Sequence, residues 1–498
     1  MNFAETAKNV SHIKTTENGA MAYDTTNNAL LDLFAQIGAL RPRSVEEITI
    51  KYSEAYAVDP ELATKMLFYA GNIRGGLGER RTFRICLRWL AINHPVVVRD
   101  NLTNIPHFNR WDSLFVLVGT PVEADMWQYI ADQLGLDMQA VIKEKHGGKH
   151  AGISLLAKWM PTETAHAKET RALAKTAMRK LGVTPRMYRK MLSALRAHLK
   201  VVESLMSAGK WDEVEYPAVP SYAMKNYRKA FGNHDKIRFG EYIASLNKGE
   251  VKINASTLFP YDLVHQYMAG RYNAGRNTDA IIEAQWKALP NYIEGENNIL
   301  VMADVSGSMW GRPIETSIGL ATYFAQHATS DFHNLYMTFT DKPTFISLDG
   351  ITTLAGCVNK VNNTGVGYST NLAAAFRKIL SFSIEHNISN NEMPKALVVV
   401  SDMEIDQYYP NKNGYKKLAF VEEMKNEFAA NGYTMPLLVF WNVEARNDTF
   451  LSQSNDVIYV SGQSASTFHN LCSALGGKTA WDFMLEVLND KIFDCVVI

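Results

Sequence analysis

The sequence contains few cysteines, and their positions build no common structural site. Its 498 residues include four cysteines, which are widely separated and form no C-x-x-C pair. This spacing argues against a disulfide framework and against a zinc ribbon, and it fits a reducing compartment. We therefore expect a cytoplasmic protein.

Long apolar runs and an excess of one charge are also missing. No segment approaches the roughly 18 apolar residues of a membrane span, and residues 1–8 lack the basic and apolar regions of a secretory signal. The 51 basic residues equal the 51 acidic residues, so no overall field favours nucleic acid or membrane. We expect no membrane partner, and any preference for a charged partner must come from local clusters.

An apolar segment that ends in closely spaced oxygen side chains is the most informative feature. The residues from Ile299 to Ala303 are all apolar and are followed by Asp304-x-Ser306-x-Ser308. Such a run suits a strand buried on both faces of a parallel sheet, where ligands bind at the carboxyl ends of strands. A carboxylate and two hydroxyls are oxygen donors of the type that Mg²⁺ prefers. The loop is therefore interpreted as a metal site.

Two later segments strengthen this interpretation. A Gly-rich loop, residues 365–370, precedes a helical pattern, and a second apolar run, residues 396–401, also leads to an acid. The order of the three loops resembles the metal-ion-dependent adhesion site of von Willebrand factor A domains. The alternative is a set of capped strand-to-helix turns without a metal. The resemblance implies one Mg²⁺ or Mn²⁺ ion held by Asp304, Ser306, Ser308, Thr370 and Asp402.

The two halves of the chain predict different folds. Strand-like and helical segments alternate after residue 298, which predicts a doubly wound α/β sheet with helices on both faces. The sequence of residues 45–270 predicts successive helices, including one continuous helix from Pro185 to Ser207. Short polar turns between them favour an all-α solenoid or ring of the HEAT kind. The predicted domains are a helical-repeat domain, residues 1–290, and an A-like domain, residues 291–498.

Basic side chains cluster within the helical half. At about 100° per residue, the cations of residues 168–179 and of residues 186–200 form one stripe on each of two successive helices. Such a surface suits the phosphates of a polyanion. The alternative is that these are ordinary solvated helix faces. The candidate RNA-binding residues are Lys158, Lys168, Arg171, Lys175, Arg179, Arg186, Arg189, Lys190, Arg196 and Lys200.

Chemical motifs are otherwise weak. The Gly-rich residues 72–80 look like a phosphate loop, but no Gly-Lys-Ser/Thr ending and no preceding strand accompany them. A turn between helices is the better interpretation. No set of nucleophile, base and orienting residue is recognisable in the sequence. We therefore expect that the protein is not an enzyme.

Several short motifs together indicate a family. They are residues 72–80, Arg110-Trp111-Asp112, residues 157–161, residues 188–190 and residues 401–404. With a helical half followed by an A-like half, they resemble the Ro autoantigen family, whose helical part is the TROVE module, and more closely its uncharacterised prokaryotic, viral and plant relatives.

The resemblance implies a non-catalytic RNA-binding protein. Its helical surface would hold small structured RNA or single-stranded RNA ends, and its A domain would serve ring closure or partner docking. The alternative is a protein-interaction scaffold, in which the bound metal takes a partner's Asp or Glu as its last ligand.

Overall fold

The structure is a computed structural model of the chain. It describes residues 12–147, 149, 152–268, 278–293, 298–340, 342–364, 369–406, 420–454, 457–474 and 477–498. The four cysteines are all free thiols, as their spacing predicted. Within the described ranges, no helix combines the length and the apolar character needed to cross a bilayer.

The described strands and helices are named in chain order. The strands are β1 Ile13–Thr15, β2 Met21–Tyr23, β3 Ile299–Asp304, β4 Leu335–Phe339, β5 Thr344–Ser347, β6 Ala396–Ser401, β7 Leu437–Asn442 and β8 Val457–Ser461. The helices before β3 are α1 Ala29–Phe34, α2 Val45–Val58, α3 Pro60–Gly71, α4 Arg80–Asn93, α5 Pro95–Asp100, α6 Asn104–Phe108, α7 Glu123–Lys145, α8 Leu156–Trp159, α9 Lys168–Lys180, α10 Pro185–His198, α11 Val202–Ser207, α12 Ser221–His234, α13 Lys236–Asn247, α14 Pro260–Met268 and α15 Ala280–Lys287. Those after β3 are α16 Arg312–His327, α17 Leu354–Thr364, α18 Leu372–Glu385, α19 Phe420–Ala430, α20 Thr467–Ala474 and α21 Ala480–Leu488.

A six-stranded sheet organises the carboxyl-terminal part. Its strand order is β5-β4-β3-β6-β7-β8, and only the edge pair β4–β5 is antiparallel. Every residue of β3 and β6 is buried, because central strands of a parallel sheet are covered on both faces. The parallel register pairs Ala303 with Val400, so both strands end at the same edge. The mixed α/β architecture predicted from the alternating segments is confirmed.

The chain divides into two compact units, and the predicted domain boundary at residue 290 stays a prediction. One unit is Met1–Thr82 with Ala255–Phe493, and the other is Phe83–Asn254 with Asp494–Ile498. The first unit contains the sheet together with helices from the amino-terminal part of the sequence. Helix α14, for example, packs on α16, and a Cβ at Gly319 would lie 3.1 Å from the backbone of Pro260. Glycine therefore permits this close helix contact.

A short amino-terminal hairpin, β1–β2, was not predicted. Its strands pair Lys14 with Ala22, and the hairpin attaches beyond the ends of β6 and β7. The Thr16 hydroxyl donates to the Ile405 carbonyl at 2.6 Å, and the Tyr23 amide donates to the Phe450 carbonyl at 2.8 Å. The residues in each contact are about 400 positions apart in sequence, so no local pattern could indicate these contacts.

The second unit is helical in its described residues and contains both basic helices, α9 and α10. The single helix predicted from Pro185 to Ser207 is interrupted after His198. The amide of Val201 donates to the Arg196 carbonyl at 3.2 Å, and Lys200 has φ +47°. This is a helix-ending turn of the kind that usually carries glycine at the left-handed position. The prediction missed the break because lysine occupies that position.

A glycine substitution tests the packing of the first unit. A Cβ at Gly38 would lie 2.8 Å from the backbone N and Cα of Gly462, and backbone cannot move aside as a flexible side chain can. We expect Gly38→Ala to lower the free energy of unfolding by about 1–3 kcal/mol, measured by urea denaturation. Gly75→Ala is the matched control, because its Cβ would meet only the Asn72 side chain at 3.6 Å. Equal midpoints for the two variants would contradict this packing.

Candidate functional site

The carboxyl ends of β3 and β6 hold a buried acid in a network of hydrogen bonds. Asp304 is the last residue of β3 and has no exposed surface. Its Oδ1 accepts the Ser306 amide at 2.9 Å, and its Oδ2 accepts the hydroxyl of Ser401, the last residue of β6, at 2.6 Å. The neighbouring parallel strands thus fix the orientation of the carboxylate.

Three more of the predicted ligands lie at this edge. The Oγ atoms of Ser306 and Ser308 are 3.2 Å apart, and the Ser308 side chain is hydrogen-bonded to Asp402. Asp402 follows β6, is 1% exposed, and accepts the Glu404 amide through Oδ1 at 3.1 Å. The loop after β3 and the end of β6 therefore bring two carboxylates and two hydroxyls together.

The two carboxylates lie close enough to disturb each other. Burial and the nearby Asp402 carboxylate raise the pKa of Asp304 to about 7. Burial also raises the pKa of Asp402, while the guanidinium of Arg446, which contacts its Oδ2, acts in the opposite direction. Asp402 thus has a cationic partner, whereas Asp304 is held only by hydroxyl and amide donors among the described residues.

This charge deficit and the oxygen donors fit a divalent cation. Buried charges are stable only when they are paired or bound to a metal, and carboxylate and hydroxyl oxygens suit Mg²⁺ or Mn²⁺. The described residues contain no group of three or more His, Cys, Asp and Glu side chains that could hold a metal ion. The predicted set depends instead on the hydroxyl oxygens of Ser306 and Ser308.

Thr370, the fifth predicted ligand, is buried in the loop before α18. Its amide donates to Asp406 Oδ2 at 2.6 Å, and its carbonyl accepts the Asp406 amide at 3.1 Å. These bonds tie it to the segment that follows β6, on which Asp402 lies. Residues 365–368 of the predicted Gly-rich loop lie outside the described residues. A role for the Thr370 hydroxyl in metal binding stays a prediction.

Sequence reasoning missed Ser401, Arg446 and the role of Glu404. Glu404 is 1% exposed and accepts the Glu17 amide at 2.7 Å and the Asn447 side-chain amide at 3.1 Å. It therefore anchors the hairpin turn beside the site. A sequence signal for Arg446 was the polar segment after β7, residues 442–448. Strand β7 is adjacent to β6, so the residues that follow it must lie near Asp402.

Half of the predicted RNA-binding cations have partners within the protein. Arg196 donates through Nε to the Ala157 carbonyl and through Nη2 to the Met160 carbonyl, both at 2.9 Å. It thus caps the carboxyl end of α8 and is less free to meet a phosphate. The other contacts are Arg171 with two backbone carbonyls, Arg189 with Glu163, Lys200 with Glu215, and Lys158 at 4.0 Å from Glu203.

The other five predicted cations are accessible to a partner. All are exposed, and none forms an ion pair or a side-chain hydrogen bond within the part of the chain that the structure describes. They alternate along α9 and the start of α10 with buried residues such as Ala174, Ala177 and Tyr188. The five are Lys168, Lys175, Arg179, Arg186 and Lys190.

The Gly-rich residues 72–80 do not form an open phosphate loop. Oδ1 of Asn72 accepts the amides of Arg74 and Gly75, and the amide of Leu77 donates to the Tyr69 carbonyl. The amides of Gly78 and Glu79 also donate to backbone carbonyls. A phosphate loop needs free amides, so this segment is the turn between helices that the sequence favoured.

Comparison with known proteins gives family matches without an assigned function. A family described as "Domain of unknown function (DUF7788)" matches residues 298–474, and one described as "Domain of unknown function (DUF2828)" matches residues 16–110 and 175–298. The chain is also similar to the uncharacterized protein L728 of Acanthamoeba polyphaga mimivirus. The two are 29% identical over 504 residues, which cover 93% of this chain and 85% of the viral protein. The two family matches meet at residue 298, directly before β3.

Replacing Asp304 by asparagine tests the metal site. The change keeps the size of the side chain and removes one of the two buried charges. We expect Mg²⁺ or Mn²⁺ to raise the melting temperature of the native protein, because a ligand that binds only the folded state stabilises it. Asp304→Asn should abolish this increase. Asp349→Asn, at an exposed turn beyond β5, should retain it, and equal increases in both variants would exclude the site.

Removing Arg446 tests whether its guanidinium competes with a metal for Asp402. We expect Arg446→Gln to tighten Mn²⁺ binding by roughly tenfold, equivalent to ~1.4 kcal/mol, measured by calorimetry at pH 8. Arg377→Gln is the control, because Arg377 pairs with Glu427 between α18 and α19. Weaker binding by Arg446→Gln than by the control would show that Arg446 supports the metal site.

Proposed function

We propose that this protein binds RNA, without catalysis, on the surface formed by α9 and α10. The observation that carries the proposal is the set of five exposed cations on two consecutive helices, Lys168, Lys175, Arg179, Arg186 and Lys190, which are not neutralised by described acids. We call this set the basic surface. Each lysine or arginine that meets a phosphate gains by displacing counterions, and this term dominates affinity for nucleic acids.

The local charge matters more than the neutral total. Lysine and arginine that already pair with acids gain less from a phosphate, because binding it would first break the existing ion pair. When the five cations of the basic surface bind a phosphate, no ion pair with a described acid has to break first. The resemblance to the Ro family adds that the bound molecule would be small structured RNA or a single-stranded RNA end, held by HEAT-like helical repeats.

The sheet-bearing part of the chain would act as a von Willebrand factor A-like domain with one Mg²⁺ or Mn²⁺ ion. Asp304, Ser306, Ser308 and Asp402 would hold the ion, and Thr370 would complete the set. Such an ion commonly keeps coordination positions for water, and a partner carboxylate can take one of them. This site would dock a partner or support ring closure, while the helices hold RNA.

A protein-interaction scaffold is the second candidate, and the exposure of Trp310 favours it. Trp310 follows the serine loop by two residues and is 70% exposed. An exposed tryptophan is a common anchor of protein interfaces. In this alternative a partner would place its Asp or Glu on the metal and an apolar side chain on Trp310.

Charge neutralisation on the basic surface tests RNA binding. We expect Lys175→Gln, Arg179→Gln and Lys190→Gln together to weaken binding of a single-stranded RNA. The slope of log affinity against log salt should also fall by roughly 0.7 for each phosphate that the variant no longer neutralises. Fluorescence anisotropy over a range of salt concentrations measures both quantities.

The control removes equal charge elsewhere in the helical unit. Lys229, Lys236 and Lys252 are exposed, form no ion pair with the residues that the structure describes, and lie outside α9 and α10. Their replacement by glutamine should leave the salt slope unchanged. If the intact protein binds no RNA at low salt, or if the two triple variants lose affinity equally, the scaffold function is favoured.

A further inference from the structure

A cleft of about 350 Å³ lies within the helical unit. Its walls come from the end of α8, the turn between α10 and α11, and residues 213–220. Much of the lining is apolar, including Leu199, Val202, Leu205 and Val219. The cleft is thus large and apolar enough for a flat ring, and most small-ligand sites combine such walls with a few polar groups.

Glu203 supplies an unused acceptor on the cleft wall. Its Oε1 accepts the Tyr227 hydroxyl at 3.5 Å. Its Oε2 is out of contact with solvent and has no hydrogen-bond partner among the described residues. A buried oxygen without a partner is costly, so a ligand that donates hydrogen bonds to it would be stabilised.

Lys158 places a donor beside this acceptor. Its Nζ is 4.0 Å from Glu203 Oε2, too far for a hydrogen bond between them. Two more acids line the cleft, Glu213 and Glu215, but each already pairs with a lysine at 2.6 Å. A ligand could therefore lie between Lys158 and Glu203, accept a hydrogen bond from the lysine and donate hydrogen bonds to the carboxylate.

We infer that this cleft binds a single guanine base of the RNA, an inference that rests on the proposed RNA-binding function. Guanine presents a carbonyl oxygen, a ring N–H and an exocyclic amino group next to each other on its pairing edge. The ammonium of Lys158 would donate to the carbonyl, and the Glu203 carboxylate would accept from the two nitrogen donors. The apolar walls would cover the faces of the ring, as in proteins that read unstacked bases.

The other bases match this pattern less well. Uracil offers a carbonyl and one N–H. Its carbonyl can accept a hydrogen bond from Lys158, but it offers Glu203 only one donor. Adenine and cytosine place an amino group next to a ring acceptor, which would face the carboxylate unfavourably. The side chain of Glu203 is 42% exposed, but its Oε2 is shielded from solvent, and a base that offers no donor to such an oxygen leaves it unpaired.

The cleft is also placed to receive a base from bound RNA. His198, Leu199 and Lys200, which line it, continue directly from α10. Lys190 of the basic surface lies eight residues before His198, the last residue of α10, a distance of about 12 Å at 1.5 Å per helical residue. A strand held by phosphates along α10 could therefore turn one base into the cleft.

Calorimetry with 5′-monophosphates tests the inference on the full-length protein. GMP should bind more tightly than IMP, which lacks the amino group, and than AMP or UMP, by about tenfold or more. Glu203→Gln keeps the shape of the side chain but puts a donor against the guanine donors. It should reduce GMP affinity by about tenfold or more and remove the preference over IMP.

Two controls separate base recognition from folding and from general charge. Glu215→Gln changes the same charge on the same cleft and should leave GMP binding unchanged, since that carboxylate already pairs with Lys200. Lys158→Met should weaken GMP binding without affecting the preference for GMP over IMP. Equal affinity of the native protein for GMP and AMP, or no loss in Glu203→Gln, would overturn the inference.

RNA oligonucleotides separate this inference from the proposed function. Guanine-free and guanine-containing strands of equal length should both bind, the second more tightly. Equal, salt-sensitive binding of both would leave the basic surface standing and exclude the guanine site. Failure of both strands to bind at low salt would exclude the proposed function and, with it, a guanine site for RNA.

Discussion

The arrangement at the sheet edge depends on two buried carboxylates at the ends of adjacent parallel strands. The hydrogen bond from Ser401 to Asp304 joins the end of β6 to the end of β3, and Asp402 lies directly beyond. Placing two like charges in a buried site is unfavourable unless a cation compensates them. Arg446 compensates in part. The serines of the loop after β3 add neutral oxygen donors at this edge and no further charge.

In the helical unit, the basic side chains differ in whether they have partners within the protein. Some of its cations are structural, as when Arg196 caps two carbonyls at the end of α8, and others pair with nearby acids. What remains is a smaller basic surface than the sequence stripe suggested, next to a cleft in which Glu203 has an unpaired oxygen. Phosphate contacts would give affinity and position, whereas a base contact would give specificity. In the proposed function, the basic surface would thus supply affinity for RNA and the cleft would supply base specificity.

Local patterns predicted much of the fold but little of the site's surroundings. The buried strands β3 and β6 were recognisable because runs such as residues 396–401 are apolar and bounded by polar residues. The break after α10 was missed, since Lys200 occupies a position where glycine is the usual signal. The hairpin could not be found, because its partners lie far away in sequence. Arg446 was missed although it lies in the polar segment after β7, next to the end of β6. Which cations stay exposed likewise depended on tertiary contacts rather than helical periodicity.

The central claim is that RNA lies on the basic surface of α9 and α10. Ultraviolet cross-linking of a single-stranded RNA to the full-length protein, followed by mass spectrometry, tests it most directly. The account predicts cross-linked peptides from residues 168–203 in the native protein and their loss at high salt. Cross-links confined to the sheet-bearing unit, or their absence at low salt, would contradict it.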